Sequence, residues 1–262
     1  MRALALASGV VPELGPVETI RAAAAGGFAH VGLWIEPDGW TEATTAAVRE
    51  ALVETRLGVI DVEVIWLKPG PLDPAHLRIL DIGLAVGAAN ALVVSSDPDD
   101  AGTIAKLRAL CARVAGTGLR VALEFGLFTE VKTIGAASAI LRAVDHPAAA
   151  LLVDALHLTR SGGSAADVAG LPRAWLSYAQ LCDAPMPGAD PGDAAAILDE
   201  AVFGRLQPGA GELDLVGLIE ALPIDLPISV ELRSQALYDG WPDPAERARV
   251  TLDATLALLN RS

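Results

Sequence analysis

The 262-residue chain is short of the residues that staple small domains or bind soft metals: it has two cysteines, Cys111 and Cys182, and four histidines. Two thiols far apart cannot build a disulfide framework, and they have no metal-ligand spacing. Aromatic residues are only 4% of the chain, so the core must come from the aliphatic residues that lift the hydrophobic fraction to 52% and the mean hydropathy to +0.43. No apolar run approaches the roughly 18–20 residues of a membrane span. Positive charge is scarce as well, 19 Lys and Arg against 33 Asp and Glu, for a formal net charge of −14. Such a field repels nucleic acid and anionic lipid at long range, so neither is an expected partner. The opening MRALALASGVV runs into ELGPVE and fits a first strand better than a signal peptide. A cytoplasmic protein is the expectation.

What the chain does have is alternation. Short β-rich runs and Ala/Leu-rich stretches follow one another eight times. The strands fall at about Ala3–Ser8, His30–Ile35, Gly58–Leu67, Ala91–Ser96, Leu119–Phe125, Ala149–Asp154, Trp175–Cys182 and Ile228–Leu232. Helices are expected near Pro16–Ala25, Thr41–Thr55, Pro74–Val86, Ala101–Ala115, Ile134–Val144, Ala165–Ala169 and Pro244–Leu259. The strands read as continuous apolar runs rather than as alternating ones, which marks a parallel sheet covered by helices on its outer side. Eight βα units close into a barrel. No linker or charge block divides the chain, so the expectation is an α/β fold, one (β/α)8 TIM barrel spanning residues 1–262. One connection is unusually long, residues 183–226 between strands seven and eight. It carries PMPGADPGD, helical stretches near Ala194–Val202 and Leu213–Leu222, and RLQPGAGELD, and reads as a lid or part of a binding wall.

The chemistry-bearing residues sit late in consecutive strands. Glu124 ends strand five (VALEFG), Asp154 ends strand six (LLVDALH), Gln180 lies late in strand seven (SYAQLCD) and Glu231 late in strand eight (ISVELRS). At the carboxyl ends of barrel strands these groups converge on one spot. Three carboxylates crowded together cannot all stay ionised without compensation. A divalent cation supplies it, and an all-oxygen donor set suits Mn²⁺ or Mg²⁺ first, with Co²⁺ or Zn²⁺ as alternatives. His157 follows Asp154 by three residues, placing an imidazole where it can meet a substrate or move a proton. Arg233, two residues after Glu231, and Arg205 and Arg160 are candidate clamps for a substrate oxygen. Glu130, in the loop after strand five, is a candidate for a substrate hydroxyl. Trp34 and Trp66, at the ends of strands two and three, are candidates for an apolar floor beneath a sugar-like ring. Asp183 reads as a cap or loop residue rather than a ligand.

The succession VALEFG, LLVDALHLTRSGG, YAQLCDAP, RLQPGAGELDLVGLIEAL and ISVEL resembles the xylose isomerase-like TIM-barrel superfamily, and within it the sugar phosphate isomerase/epimerase group. The resemblance is strongest over residues 119–233. It implies one divalent metal held by Glu124, Asp154, Gln180 and Glu231, a substrate contact from His157, and proton transfer by Glu124 and Glu231. It also implies a small sugar-like or keto-acid substrate and, as is common in that superfamily, a homo-oligomer. There is a departure: many ketose epimerases have His at the position of Gln180 and an Arg shortly after, where residues 185–187 here read PMP. Arg205, from the long connection, is the candidate substitute. Endonuclease IV shares the barrel, but four histidines and the acidic charge disfavour a DNA-repair role. The expected function is thus isomerisation or epimerisation of a ketose, sugar derivative or hydroxy-keto acid through an enediolate. Elimination from a keto-polyol or 3-keto sugar by a lyase or dehydratase is the alternative, and a non-catalytic ligand-binding barrel is a second.

Overall fold

A computed structural model describes residues 2–261. Eight parallel strands form a closed barrel in sequence order: β1 Leu4–Leu6, β2 His30–Trp34, β3 Gly58–Leu67, β4 Asn90–Ser95, β5 Arg120–Glu124, β6 Ala149–Asp154, β7 Leu176–Leu181 and β8 Ile228–Val230. The helices are α1 Pro16–Gly26, α2 Glu42–Thr55, α3 Pro74–Val86, α4 Asp100–Arg113, α5 Ile134–Val144, α6 Ala155–Arg160, α7 Ala165–Ala169, α8 Ala194–Phe203, α9 Leu215–Ala221, α10 Gln235–Gly240 and α11 Pro244–Leu259. Among the described residues no helix is long and apolar enough to cross a membrane.

Local chemistry sets the element ends. Proline occupies the first turn of α1, α3 and α11, where its missing N–H costs nothing. Side chains of Thr41, Asp73, Asp99, Thr133 and Asp243 accept the orphan N–H groups that begin their helices. The core has two parts. The larger lies between strands and helices, with residues such as Leu33, Ile65, Leu80, Leu107, Leu123 and Leu151 fully excluded from water. The smaller fills the barrel itself with Ala5, Ile60, Leu92, Val94, Ala122, Ala150, Leu152 and Tyr178. Its many small residues match the narrow interior of an eight-stranded barrel.

Two parts of the fold go beyond the expectation. The segment after Asp154 forms a helix of its own, α6, begun by Asp154 itself, whose Oδ1 accepts from the His157 N–H at 3.0 Å. At six residues α6 is too short to show a 3.6-residue period in the sequence. The 183–226 connection is held in place by polar side chains: Asp183, 1% exposed, accepts N–H groups from Ala184, Gly209 and Leu213. Arg160 forms a double bond-pair with Glu200 of α8, at 2.8 and 2.7 Å, and donates to the Pro185 carbonyl. It anchors this connection and is not a substrate clamp.

Candidate active site at the carboxyl end of the barrel

The register of the sheet decides which side chains meet. Asp154 and Gln180 are Cα partners across β6 and β7, and Gln180 is level with Ser229 of β8, two residues before Glu231. Glu124 is level with Leu152, one pleat below Asp154. All four side chains are buried, and Glu124, Gln180 and Glu231 line one cavity of about 150 Å³. Trp34, Trp66, Phe128, His157, Arg205 and Arg233 line it too, and Leu198, Ala201 and Val202 of α8 cover one side. Space at the β8 end depends on Gly9, where a Cβ would fall 2.7 Å from Glu231 Oε1 and 2.6 Å from Arg233 Cγ.

Arg205 organises the middle of the site. It is 4% exposed, and its Nη1 donates to Asp154 Oδ2 at 2.7 Å and to the Glu231 carbonyl at 3.2 Å. Its Nη2 lies 3.2 Å from His157 Nε2. A guanidinium has no acceptor, so His157 Nε2 presents its lone pair to Arg205 and the ring carries its proton on Nδ1. Phe128 packs against the imidazole with ring centroids 4.8 Å apart, and its own ring meets Trp66 edge-on at 5.9 Å.

Burial dominates the electrostatics. It raises Glu124 well above the usual carboxylate range, with Asp154 adding repulsion. It raises Glu231 to about 7, with help from Glu63 and against Arg205. Burial also pushes against ionisation of Asp154, but the charge of Arg205 prevails and holds that carboxyl below its ordinary value. His157 falls to about 4, because burial disfavours the imidazolium more than Asp154 favours it. At neutral pH the site therefore holds a neutral imidazole and an ionised Asp154, with Glu231 near its midpoint and Glu124 biased toward its neutral form.

The donors fit a divalent cation. One ligand atom from each of Glu124, Asp154 and His157 lie within 4.8 Å of one another. Beside them Gln180 Oε1, Gln180 Nε2 and Glu231 Oε2 are buried with no hydrogen-bond partner among the described residues. Buried polar atoms without partners carry a full desolvation cost, which a bound ion or its water removes. Oxygen donors of this kind suit a hard or borderline cation, the lone pair of His157 being taken up by Arg205.

The structure separates the other expected site residues. Trp34 and Trp66 line the cavity, Trp34 with its indole N–H on Glu36 (2.6 Å) and Trp66 with its own on Ser96 (2.8 Å). Arg233 stacks over Trp34 at 5.5 Å and its Nε lies 3.6 Å from Glu231 Oε1. Glu130 does not reach the cavity: it is exposed, pairs with Lys132 at 3.1 Å, and its loop is tied by its own N–H to the Ser95 carbonyl. Phe128 and Glu63 escaped the sequence argument. Glu63, inside β3, is 6% exposed, lines the cavity and accepts from Ser8 Oγ at 2.6 Å. Its signal was an acid in an otherwise apolar run, GVIDVEVIWL, where Asp61 is also wholly buried. Burial and repulsion from Glu63 raise Asp61 well above its usual range. A shift in the β2–β3 register sets Asp61 opposite Gly32, whose missing Cβ would lie 2.5 Å from Asp61 Oδ1.

A closed eight-stranded parallel barrel with buried acids and a histidine converging at its carboxyl end is a (β/α)8 fold with a candidate metal site where such barrels place their active sites. The chain belongs to the xylose isomerase-like TIM barrel family, whose model matches residues 20–255. Two curated relatives are 3-dehydroshikimate dehydratases, from Pseudomonas putida at 28% identity and Pseudomonas aeruginosa at 31%. Each match spans 116 residues, 43% of this chain but only 17% of the relative. Three solved structures share the fold. The IOLI protein with a bound zinc atom has a TM-score of 0.83 at 15% identity, over 99% of this chain and 98% of that one. The probable 3-DHS dehydratase AsbF of Bacillus anthracis has 0.73 at 16%, over 95% and 98%. The D-allulose 3-epimerase of Methylomonas sp. has 0.70 at 17%, over 98% of each chain.

Proposed function

We propose that the chain is a divalent-metal-dependent lyase that removes a proton α to a ketone and expels a β-hydroxyl from a cyclic keto-polyol or hydroxy-keto acid. The observation that carries this is a pair of buried carboxyl groups, Glu124 and Glu231, both shifted toward neutrality at one small cavity beside a fixed cation, Arg205. Elimination needs a base for the carbon acid and an acid for the leaving oxygen, and a carboxyl lifted by burial can take a proton and give it up again. That the curated relatives are dehydratases supports elimination over isomerisation.

Glu124, Asp154, Gln180 and Glu231 are the residues that would hold the cation, which when bound supplies positive charge to the ketone oxygen and stabilises the enolate. Mn²⁺ or Mg²⁺ suits this oxygen donor set, with Co²⁺ or Zn²⁺ as alternatives. The remaining work falls to the chain. One of Glu124 and Glu231, ionised, takes the α proton and then passes it to the departing oxygen, which leaves as water. His157, neutral and held by Arg205, orients a substrate hydroxyl without adding charge. Trp66 and Phe128 form an apolar wall that excludes water from the reacting face. Trp34, Arg205 and Arg233 complete the substrate contacts.

A second reading is isomerisation or epimerisation of a ketose through the same enolate. It is favoured by the placement of Glu124 on β5 and Glu231 just past β8, which lets one acid work on each face of a carbon. Incubating Mn²⁺-loaded protein with keto-polyols, 3-keto sugars, ketoses and keto acids in D₂O separates the two. Loss of water with a new conjugated carbonyl absorbance is the expected result. Deuterium wash-in with every hydroxyl retained would favour the epimerase, and neither, in protein that takes up metal, would contradict both.

A further inference from the structure

The small cavity is not the whole of the binding space. Against it lies a larger one, of about 460 Å³, at the mouth of β1 and β2, and both are lined by Trp34 and Arg233. The Ser8–Glu63 hydrogen bond joins their walls, since Ser8 lines the larger cavity and Glu63 the smaller. Trp34 and Arg233 thus stand between the space beside Glu124 and Glu231 and the larger one.

The chemistry of the larger wall selects what fits it. Its apolar surface comes from Pro12, Leu14, Pro16, Trp34 and Trp40. Both indole N–H groups are already taken, Trp34 by Glu36 and Trp40 by Thr45 (2.8 Å), so the rings offer carbon faces. The hydroxyls are engaged too: Ser8 donates to Glu63, Thr19 to the Gly15 carbonyl (2.9 Å), and Thr44 pairs with Thr41 (2.9 Å). A second sugar would bring hydroxyls with few free partners, and Arg233, the cation on this wall, is already stacked on Trp34 and 3.6 Å from Glu231 Oε1, which leaves Glu36 to face an anionic tail. A flat, uncharged ring suits indole and proline faces.

We propose that the larger cavity is a binding site for an aryl substituent carried by the substrate, the reacting polyol occupying the smaller one. The proposal rests on the site assigned above but not on its reaction, and its test uses binding alone. Mn²⁺-loaded protein is titrated calorimetrically with phenyl β-D-glucopyranoside, methyl β-D-glucopyranoside and cellobiose. The phenyl glycoside is expected to bind about ten-fold more tightly than the methyl glycoside or the disaccharide. Gly39 lines the larger cavity at a position where an added Cβ meets nothing nearer than the Glu36 carbonyl at 3.9 Å. Gly39→Phe should therefore fill the cavity and abolish the preference, leaving the affinity for the methyl glycoside and the metal content unchanged; Gly39→Leu should reduce it. Equal affinities, tighter binding of cellobiose, no measurable binding of the phenyl glycoside, or a preference that survives Gly39→Phe would overturn the proposal. An aryl preference in a protein that eliminates nothing would leave this site standing and remove only the lyase.

Discussion

Arg205 and Asp154 form the ion pair on which the site's geometry turns, with side chains 4% and 0% exposed. Removing one partner of such a pair leaves an uncompensated buried charge. Arg205→Met is expected to destabilise the metal-free protein by about 3–5 kcal/mol in urea denaturation. Added Mn²⁺ should recover part of the loss, because the stranded carboxylate then has a cation. A loss below about 1 kcal/mol would show that the pair is not what holds Asp154. At Gly9 the atoms an added methyl would meet belong to the side chains of Glu231 and Arg233, not to backbone. Gly9→Ala should therefore cost little stability, about 1 kcal/mol, while weakening Mn²⁺ affinity roughly ten-fold by displacing Glu231. Unchanged affinity by calorimetry would argue that Glu231 is not a ligand.

At the scale of elements, the 183–226 connection is the part of the fold that shapes this cavity beyond the bare barrel. Asp183 is its clasp, and the strand-like bridges Asp183–Leu206 and Gly204–Ser234 fix its return to the barrel. Asp183→Ala leaves three N–H groups without their acceptor and should cost about 2–4 kcal/mol. It should also loosen α8, raising the apparent substrate KM more than it lowers kcat; a variant with wild-type KM and stability would contradict this role. The strands and the long helices were legible because buried parallel strands read as apolar runs and caps such as Thr41, Asp73 and Asp243 punctuate the helices. The four buried polar residues at the strand ends were legible for the same reason, because each closes an apolar run. Glu63 was not, because an acid in mid-strand can be recognised as cavity-facing only once the register shift in β3 is known. Nor was the Arg205–Asp154 pair, which joins residues 51 apart in sequence. Glu130 misled because loop position alone does not say which way a side chain turns.

For the whole molecule, the site makes stability depend on pH in a way that the cation should remove. Glu231, whose ordinary value is 4.5, has its folded value raised to about 7, so its contribution is complete below 4.5 and is lost as pH rises through 7. Glu124 acts in the same sense. His157 acts oppositely: its folded value of about 4 lies below the ordinary 6.5, so its contribution is present above 6.5 and is lost as pH falls through 4. Between about 4.5 and 6.5 the two slopes oppose each other; above 6.5 only the carboxyls act. Metal-free protein should thus lose stability between pH 6.5 and 8, followed as a falling Tm, and saturating Mn²⁺ should abolish the decline. A flat or rising profile in chelator-treated protein would mean that these carboxyls are not buried and uncompensated.

The claim beneath all of this is that one divalent cation sits among Glu124, Asp154, Gln180 and Glu231. Calorimetric titration of chelator-stripped protein with Mn²⁺, in chelator-free buffer, tests it most directly. The account predicts about one ion per chain, released protons as Glu124 and Glu231 ionise, and at least a ten-fold weaker affinity in Glu231→Gln with the circular dichroism spectrum unchanged. No saturable uptake of Mn²⁺, Mg²⁺, Co²⁺ or Zn²⁺ by folded wild-type protein would contradict it.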